Sequence, residues 1–323
     1  MSHVTTSADL ASDEAVEGSP GLTPGRRGFI ANTLRSQPQA IIGLTVVVVI
    51  ILIAIFAPVI APYSIHEKTG GIYEAPSSSH WLGTDDGGVD MFSLLVYGSR
   101  VSLEVGFAAA FVAMVIGGTV GIASGFFGGW LDVLLMRITD IFLVLPDLVL
   151  IIVVAAIFGR HLINIILIIG IIYWTSTARL IRAQVKSVRE RVYVKRAQSI
   201  GAGGNRLVFK HVLPQVAPLL IANTVLTIAL AIFLETYITF LGLGDPSLVS
   251  WGKLIENSFL GNAVLNNAWW AVVPPGVAVT ILILACTMVG QAMEDALNPR
   301  LRVGHLAVRR FRLRPLHGQL GAE

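Results

Sequence analysis

Residues 40–60, AIIGLTVVVVIILIAIFAPVI, form an apolar run without one charged side chain, and prolines 58 and 62 close it. A helix needs about 20 such residues to cross the hydrocarbon core of a bilayer, so this run alone commits the chain to a membrane. Composition extends the constraint: 54% of the 323 residues are hydrophobic and 13% are charged, against about 25% charged in soluble domains. Mean hydropathy of +0.74 implies more apolar surface than a globular core can hold, and the excess must face lipid. The run exceeds the 7–15 residues of a secretory h-region, roughly speaking, and reads as a retained anchor.

Five further stretches have spanning character: about 101–127, 134–158, 162–177, 216–242 and 271–292. Asp140, Pro146 and Asp147 interrupt the third, and the fourth is short. An all-α integral membrane protein with six transmembrane helices is therefore expected. Placing the N-terminus inside puts 19 of the 23 lysines and arginines in the cytoplasm. The positive-inside rule thus selects an N-in, C-in topology. The resulting organisation is a disordered cytoplasmic tail (1–39), a first helix (40–61), an extracytoplasmic loop (62–98), a five-helix core (99–295) and a basic cytoplasmic tail (296–323). The last could lie against anionic headgroups.

Several chemistries find no support in the residues. The one cysteine, Cys286, excludes an intramolecular disulfide. His66, His80, His161 and His211 fall on both sides of the membrane, so no metal site is expected from them. Phosphate-loop, HExxH and G-x-S-x-G motifs are missing. The basic residues follow the topology, which points to the bilayer and away from nucleic acid. Gly117, Gly121 and Gly125 make two overlapping GxxxG motifs, a close-packing face for a neighbouring helix. Acids in or near spans need partners: Arg100 stands four before Glu104 and Arg137 three before Asp140, spacings that suggest local ion pairs. Asp147 has no neighbouring base, and Glu235 lies in the fifth span.

The loop at 176–215 carries nine basic residues in some forty positions from Arg179 to Lys210. Tyr193, Ala197, Ile200, Gly204 and Leu207 recur at helical spacing, with Gly201 as an interruption. Two short amphipathic helices joined at a glycine turn are expected, serving either as an interfacial element on anionic lipid or as a docking ridge for a soluble partner. After Phe240, Leu-Gly-Leu-Gly-Asp-Pro cannot continue a helix, because glycine weakens it and Pro246 lacks the N–H. A break near Gly242 and a re-entrant extracytoplasmic lip follow.

The run VYVKRAQSIGAGGNRLVFKHVLPQ at 192–215 resembles the EAA loop of binding-protein-dependent ABC importers. Ala197, Gly201, His211, Leu213 and Pro214 match that pattern, while Lys195 and Arg196 replace its Glu and first Ala. HWLGTDDGGVDMFSLLVYGSRVSLEVG at 80–106 resembles the "H-x-LGTD-x-x-GRD" approach to the second span, with Val89 where Arg is usual. MRITDIFLVLPDLVL from Met136, LETYITFLGLGDPSLVSWGKLI at 234–255 and EDALNPRLR at 294–302 resemble further motifs of the oligopeptide, dipeptide and nickel C-type permeases. Together they cover about 81–302 in the family's order.

The resemblance implies a type I ABC importer permease in the bacterial inner membrane. Its partners would be a second homologous permease, two ATP-binding subunits or one dual set, an extracytoplasmic substrate-binding protein and the lipid bilayer. ATP and Mg would bind to the ATPase subunits, and this chain would hold no cofactor and catalyse nothing itself. ATPase coupling is expected at Tyr193, Lys195, Arg196, Ala197, Ile200, Gly201, His211 and Pro214. An outer gate or binding-protein contact is expected at Glu235, Gly242, Gly244, Pro246, Ser247 and Trp251. Di- or oligopeptides would be the substrate. The competing reading is an autonomous proton-coupled carrier using Asp140, Asp147 or Glu235, for which no inverted repeat is evident.

Overall fold

The computed structural model describes residues 37–297. Nearly all of the expected N-terminal tail and of the basic C-terminal tail lies outside the described residues. Among the described residues the chain is helical, with one isolated bridge between Thr84 and Asp90 and no strand. In order come α1 (Pro38–Ile55), α2 (Ala57–Ile60), α3 (Met91–Phe127), α4 (Gly129–Val144), α5 (Asp147–Phe158) and α6 (Leu162–Arg189). Then follow α7 (Val192–Ser199), α8 (Gly204–Leu207), α9 (Leu213–Ile238), α10 (Trp251–Leu260) and α11 (Trp269–Leu297). Two π-helical turns, Val208–Val212 and Thr239–Leu243, flank α9.

Helices α1, α3, α6, α11 and the stretch Gly204–Leu243 are each long and apolar enough to cross a membrane. The third crossing differs from a straight span: α4 and α5 are bent by 92°. Its cause is local, since Leu145 is extended before Pro146, which has no N–H for the ladder. Packing shows that this bent pair returns the chain across the bundle. Gly117 of α3 lies against Trp174 of α6 and Gly125 against Arg182, so α3 and α6 run parallel. The chain between them must therefore travel back. Asp132 and Asp140 of α4 meet Arg182 and Arg179 of α6, and Ile151 of α5 packs with Ile165 and Ile168.

Consequently Pro38, Phe127, Arg189 and Leu297 gather at one end of the bundle with α7 and α8. Met91, Leu162, Ile238 and α10 gather at the other. Lipid is as apolar as a protein core, so helix association here depends on close packing. An added Cβ would lie 2.5 Å from Trp174 O at Gly117, 2.7 Å from Ala178 O at Gly121 and 2.9 Å from Arg182 O at Gly125. The α3–α6 contact is the most extensive among the described helices. Met91, Leu94 and Leu103 of α3, Ile232 of α9 and Leu282 and Cys286 of α11 form a second packed centre.

One acid and one base find partners other than their sequence neighbours. Asp140 pairs with Arg179 at 2.5 Å rather than with Arg137, because α4 turns that carboxylate toward α6. Arg100 leaves Glu104 and donates to the carbonyls of Ala54 at 2.5 Å and Ile55 at 3.0 Å. Those groups end α1, where carbonyls lack intrahelical donors and the helix dipole favours a cation.

Candidate functional site: a helical ridge and an opposite lip

At one end, α6 stops at Glu190 and the chain turns into α7. Val194 is buried, and with Leu207, Val208 and Val212 it packs against Phe126, Ile181, Val185 and Val188. Ala197 packs half-buried against the same cluster. These contacts clamp the ridge to α3 and α6 while its other side stays open. Val192, Tyr193 and Phe209 are exposed there, and Ile200 is 87% exposed. The expected stripe therefore divides: Leu207 and Ala197 face the bundle, while Tyr193 and Ile200 face away.

Between the short helices Gly201 adopts φ +88°, and its N–H donates to Gln198 O at 3.0 Å. Ala202 N–H donates to Ala197 O at 3.1 Å, closing a left-handed helix end of the kind glycine favours. Among the described residues, no atom beyond the flanking residues lies within 4 Å of where a Gly201 Cβ would sit. The requirement for glycine is thus conformational within this chain. Lys195 Nζ lies 2.6 Å from Glu190 Oε2. That hydrogen bond and charge hold the exposed Glu190 carboxyl below its ordinary range. Arg196 is exposed, the His211 ring lies 6.3 Å from that of Tyr193, and Pro214 sits in the first turn of α9.

At the opposite end α9 unwinds through the π turn. Gly242 has φ +78°, Gly244 is extended, a turn follows at Pro246 and Ser247, and Ser250 caps α10 by accepting from Lys253 N. We call residues 239–251 the lip. Arg160 donates to Gly242 O at 2.7 Å, and Asp245 accepts from Leu162 N at 3.2 Å and Ser247 Oγ at 2.6 Å. Burial opposes ionisation of Asp245, but the hydrogen bonds from Ser247 and Leu162 outweigh it and lower the pKa. A Cβ on Gly244 would meet Thr239 Cγ2 at 2.5 Å. Pro246 and Ser247 are exposed, whereas Glu235 and Trp251 are 2% and 3% exposed and stand behind that surface.

One group escaped the sequence-based site residues although the 80–106 motif contains it. His80 Nδ1 lies 2.9 Å from Asp90 Oδ1, and Asp90 Oδ2 accepts from Ser93 N and Oγ at 2.8 Å, capping α3. Asp85 Oδ1 accepts from Gly87 N and Val89 N, and Trp270 Nε1 donates to Thr84 O. This loop fixes the start of α3 against α11.

Comparison with known proteins gives this arrangement its class. Residues 117–303 match the binding-protein-dependent transport system inner membrane component family. The chain belongs to that family: it is a multi-pass inner-membrane permease subunit of an ABC importer. Residues 30–76 match the N-terminal transmembrane domain of oligopeptide transport permease C. A dipeptide transport system permease protein of Alkalihalophilus pseudofirmus is 36% identical over 87% of this chain and 91% of its own length. An oligopeptide transport system permease protein of Bacillus subtilis is 37% identical over 83% of this chain and 88% of its own. A glutathione transport system permease protein of Pectobacterium atrosepticum is 32% identical over 94% and 100%.

Proposed function

We propose that this chain forms half of a path for di- or oligopeptides across the inner membrane, with a second permease supplying the other half. The names of its relatives support the substrate class. The α7 end carries most of the bundle's basic residues, which supports a cytoplasmic placement for it. There the exposed face at Tyr193 and Ile200 docks the ATP-binding subunits, which hold ATP and Mg. The lip at 239–251 forms the outer gate, and Pro246 and Ser247 meet the substrate-binding protein.

One observation carries the coupling part of this reading. The ridge is locked to α3 and α6 by buried Val194, Leu207 and Val212 while Tyr193 and Ile200 remain open. A push on the open face then moves the bundle as a rigid body, because packed interfaces do not deform continuously. The autonomous carrier is not favoured, since Asp140 is tied to Arg179, the chain matches the binding-protein-dependent family and its relatives are transport-system permease proteins.

Reconstitution tests the proposal. Purified with its second permease and two ATPases, and supplied with the binding protein, the chain should support ATP-dependent uptake of a labelled dipeptide into proteoliposomes. Uptake by this chain alone under a proton gradient would overturn the subunit reading. Uptake that is ATP-driven but blind to di- and oligopeptides would overturn only the substrate.

A further inference from the structure

Glu235 lies in the last turn of α9, just before the chain leaves the helix for the lip, and is 2% exposed. Oε1 accepts from Thr239 Oγ1 at 3.1 Å and Oε2 from Ser102 Oγ of α3 at 3.4 Å. Ser102 Oγ in turn accepts the N–H of Trp251, the first residue of α10, at 3.3 Å. One carboxyl therefore touches α3 and the π turn, and it reaches the start of α10 through the hydroxyls of Ser250 and Ser102. Thr236 Oγ1 lies 3.5 Å from Oε2, its hydrogen shared between that oxygen and Ile232 O at 2.9 Å.

The basic groups nearest on neighbouring elements are committed elsewhere. Arg100 donates to the α1 carbonyls, Lys253 lies 2.8 Å from Glu256, and Arg160 donates to Gly242 O. Among the described residues no counter-charge reaches Glu235, and an ion buried there is far costlier than the neutral acid. A neutral acid can also both donate and accept within the cluster. We propose that Glu235 is carried as a neutral carboxylic acid and is the positioning residue that pins the lip, residues 239–251, to α3. This deepens the reading of the lip as a gate, and it needs that reading only for its effect on transport.

The full chain in its assembled complex provides the test. The infrared difference between wild type and Glu235→Gln at neutral pH should contain the C=O stretch of a protonated carboxylic acid; carboxylate bands in its place would overturn the neutral state. Hydrogen exchange over 239–251 reads the pinning directly. Glu235→Gln, a neutral isostere, should keep wild-type protection, and Glu235→Ala should speed exchange there by tenfold or more. Equal loss in both variants, or none in the alanine variant, would overturn the assignment. Failed uptake in the glutamine variant with an intact acid band in wild type and a protected lip would support the pin and count against the lip as gate.

Discussion

At Gly201 the physical demand is a backbone angle. With φ +88° and open space around the missing side chain, a β-branched residue meets strain of about 1–3 kcal/mol without any clash. Gly201→Val should insert normally, because the position lies outside every span, yet lose substrate-stimulated ATP hydrolysis in the assembled complex. Full stimulation would remove the glycine turn from coupling. Asp85 shows the opposite kind of constraint, electrostatic and local. Burial pushes its carboxyl up, with Asp86 adding repulsion, against the N–H bonds from Val89 and Gly87. A raised folded pKa means stability is lost as pH rises through it and is fully present below the unfolded value, about 3.9. Asp85→Asn should therefore raise the unfolding temperature at pH 7, and the gain should vanish below about pH 3.9. A gain that persists in acid would point to packing in place of charge.

At the scale of elements, α4 depends on α6 for its place. Asp132 accepts from Arg182 Nε at 2.6 Å, Arg182 Nη2 at 2.8 Å and Lys186 Nζ at 2.8 Å. The Asp132 side chain is 12% exposed, while the Arg179–Asp140 pair one step along is 50% and 44% exposed. Hydrogen bonds to charged groups contribute about 1.5–3 kcal/mol when shielded and about 0–1 kcal/mol at an exposed pair. Asp132→Ala should accordingly lower the detergent melting temperature clearly, and Asp140→Ala should barely move it. Equal effects would mean that apolar packing of α5 on α6 holds the bent crossing. The glycine face of α3 belongs to this scale too, since 117, 121 and 125 each set a backbone carbonyl of α6 within 2.5–2.9 Å of where a Cβ would sit.

For the whole molecule, the parallel run of α3 and α6 has a topological consequence: Pro38, α7 and Leu297 share one end, and the loop at 61–90 shares the other with α10. In a Cys286→Ala background, a cysteine at Ser78 should label with an impermeant maleimide in intact cells, and one at Ser187 should not. The reverse pattern would invert the orientation and with it the docking surface.

What the sequence determined by itself follows from short-range rules. Apolar run length, prolines and glycines announced the spans, the break at Gly242 and the two-helix loop, because helix formation and bilayer thickness are local demands. Motif order carried the family, since those residues recur at fixed spacing. The choice of partner was decided only by tertiary structure. Arg137 and Glu104 sit at good helical spacing from Asp140 and Arg100, yet the geometry of packing gives Asp140 to Arg179 and Arg100 to the carbonyls that end α1. Likewise the sequence sets Glu235 inside the fifth apolar span but names no partner for it. It becomes a buried link because α3, α9 and α10 converge on it, and convergence is a property of the assembled bundle.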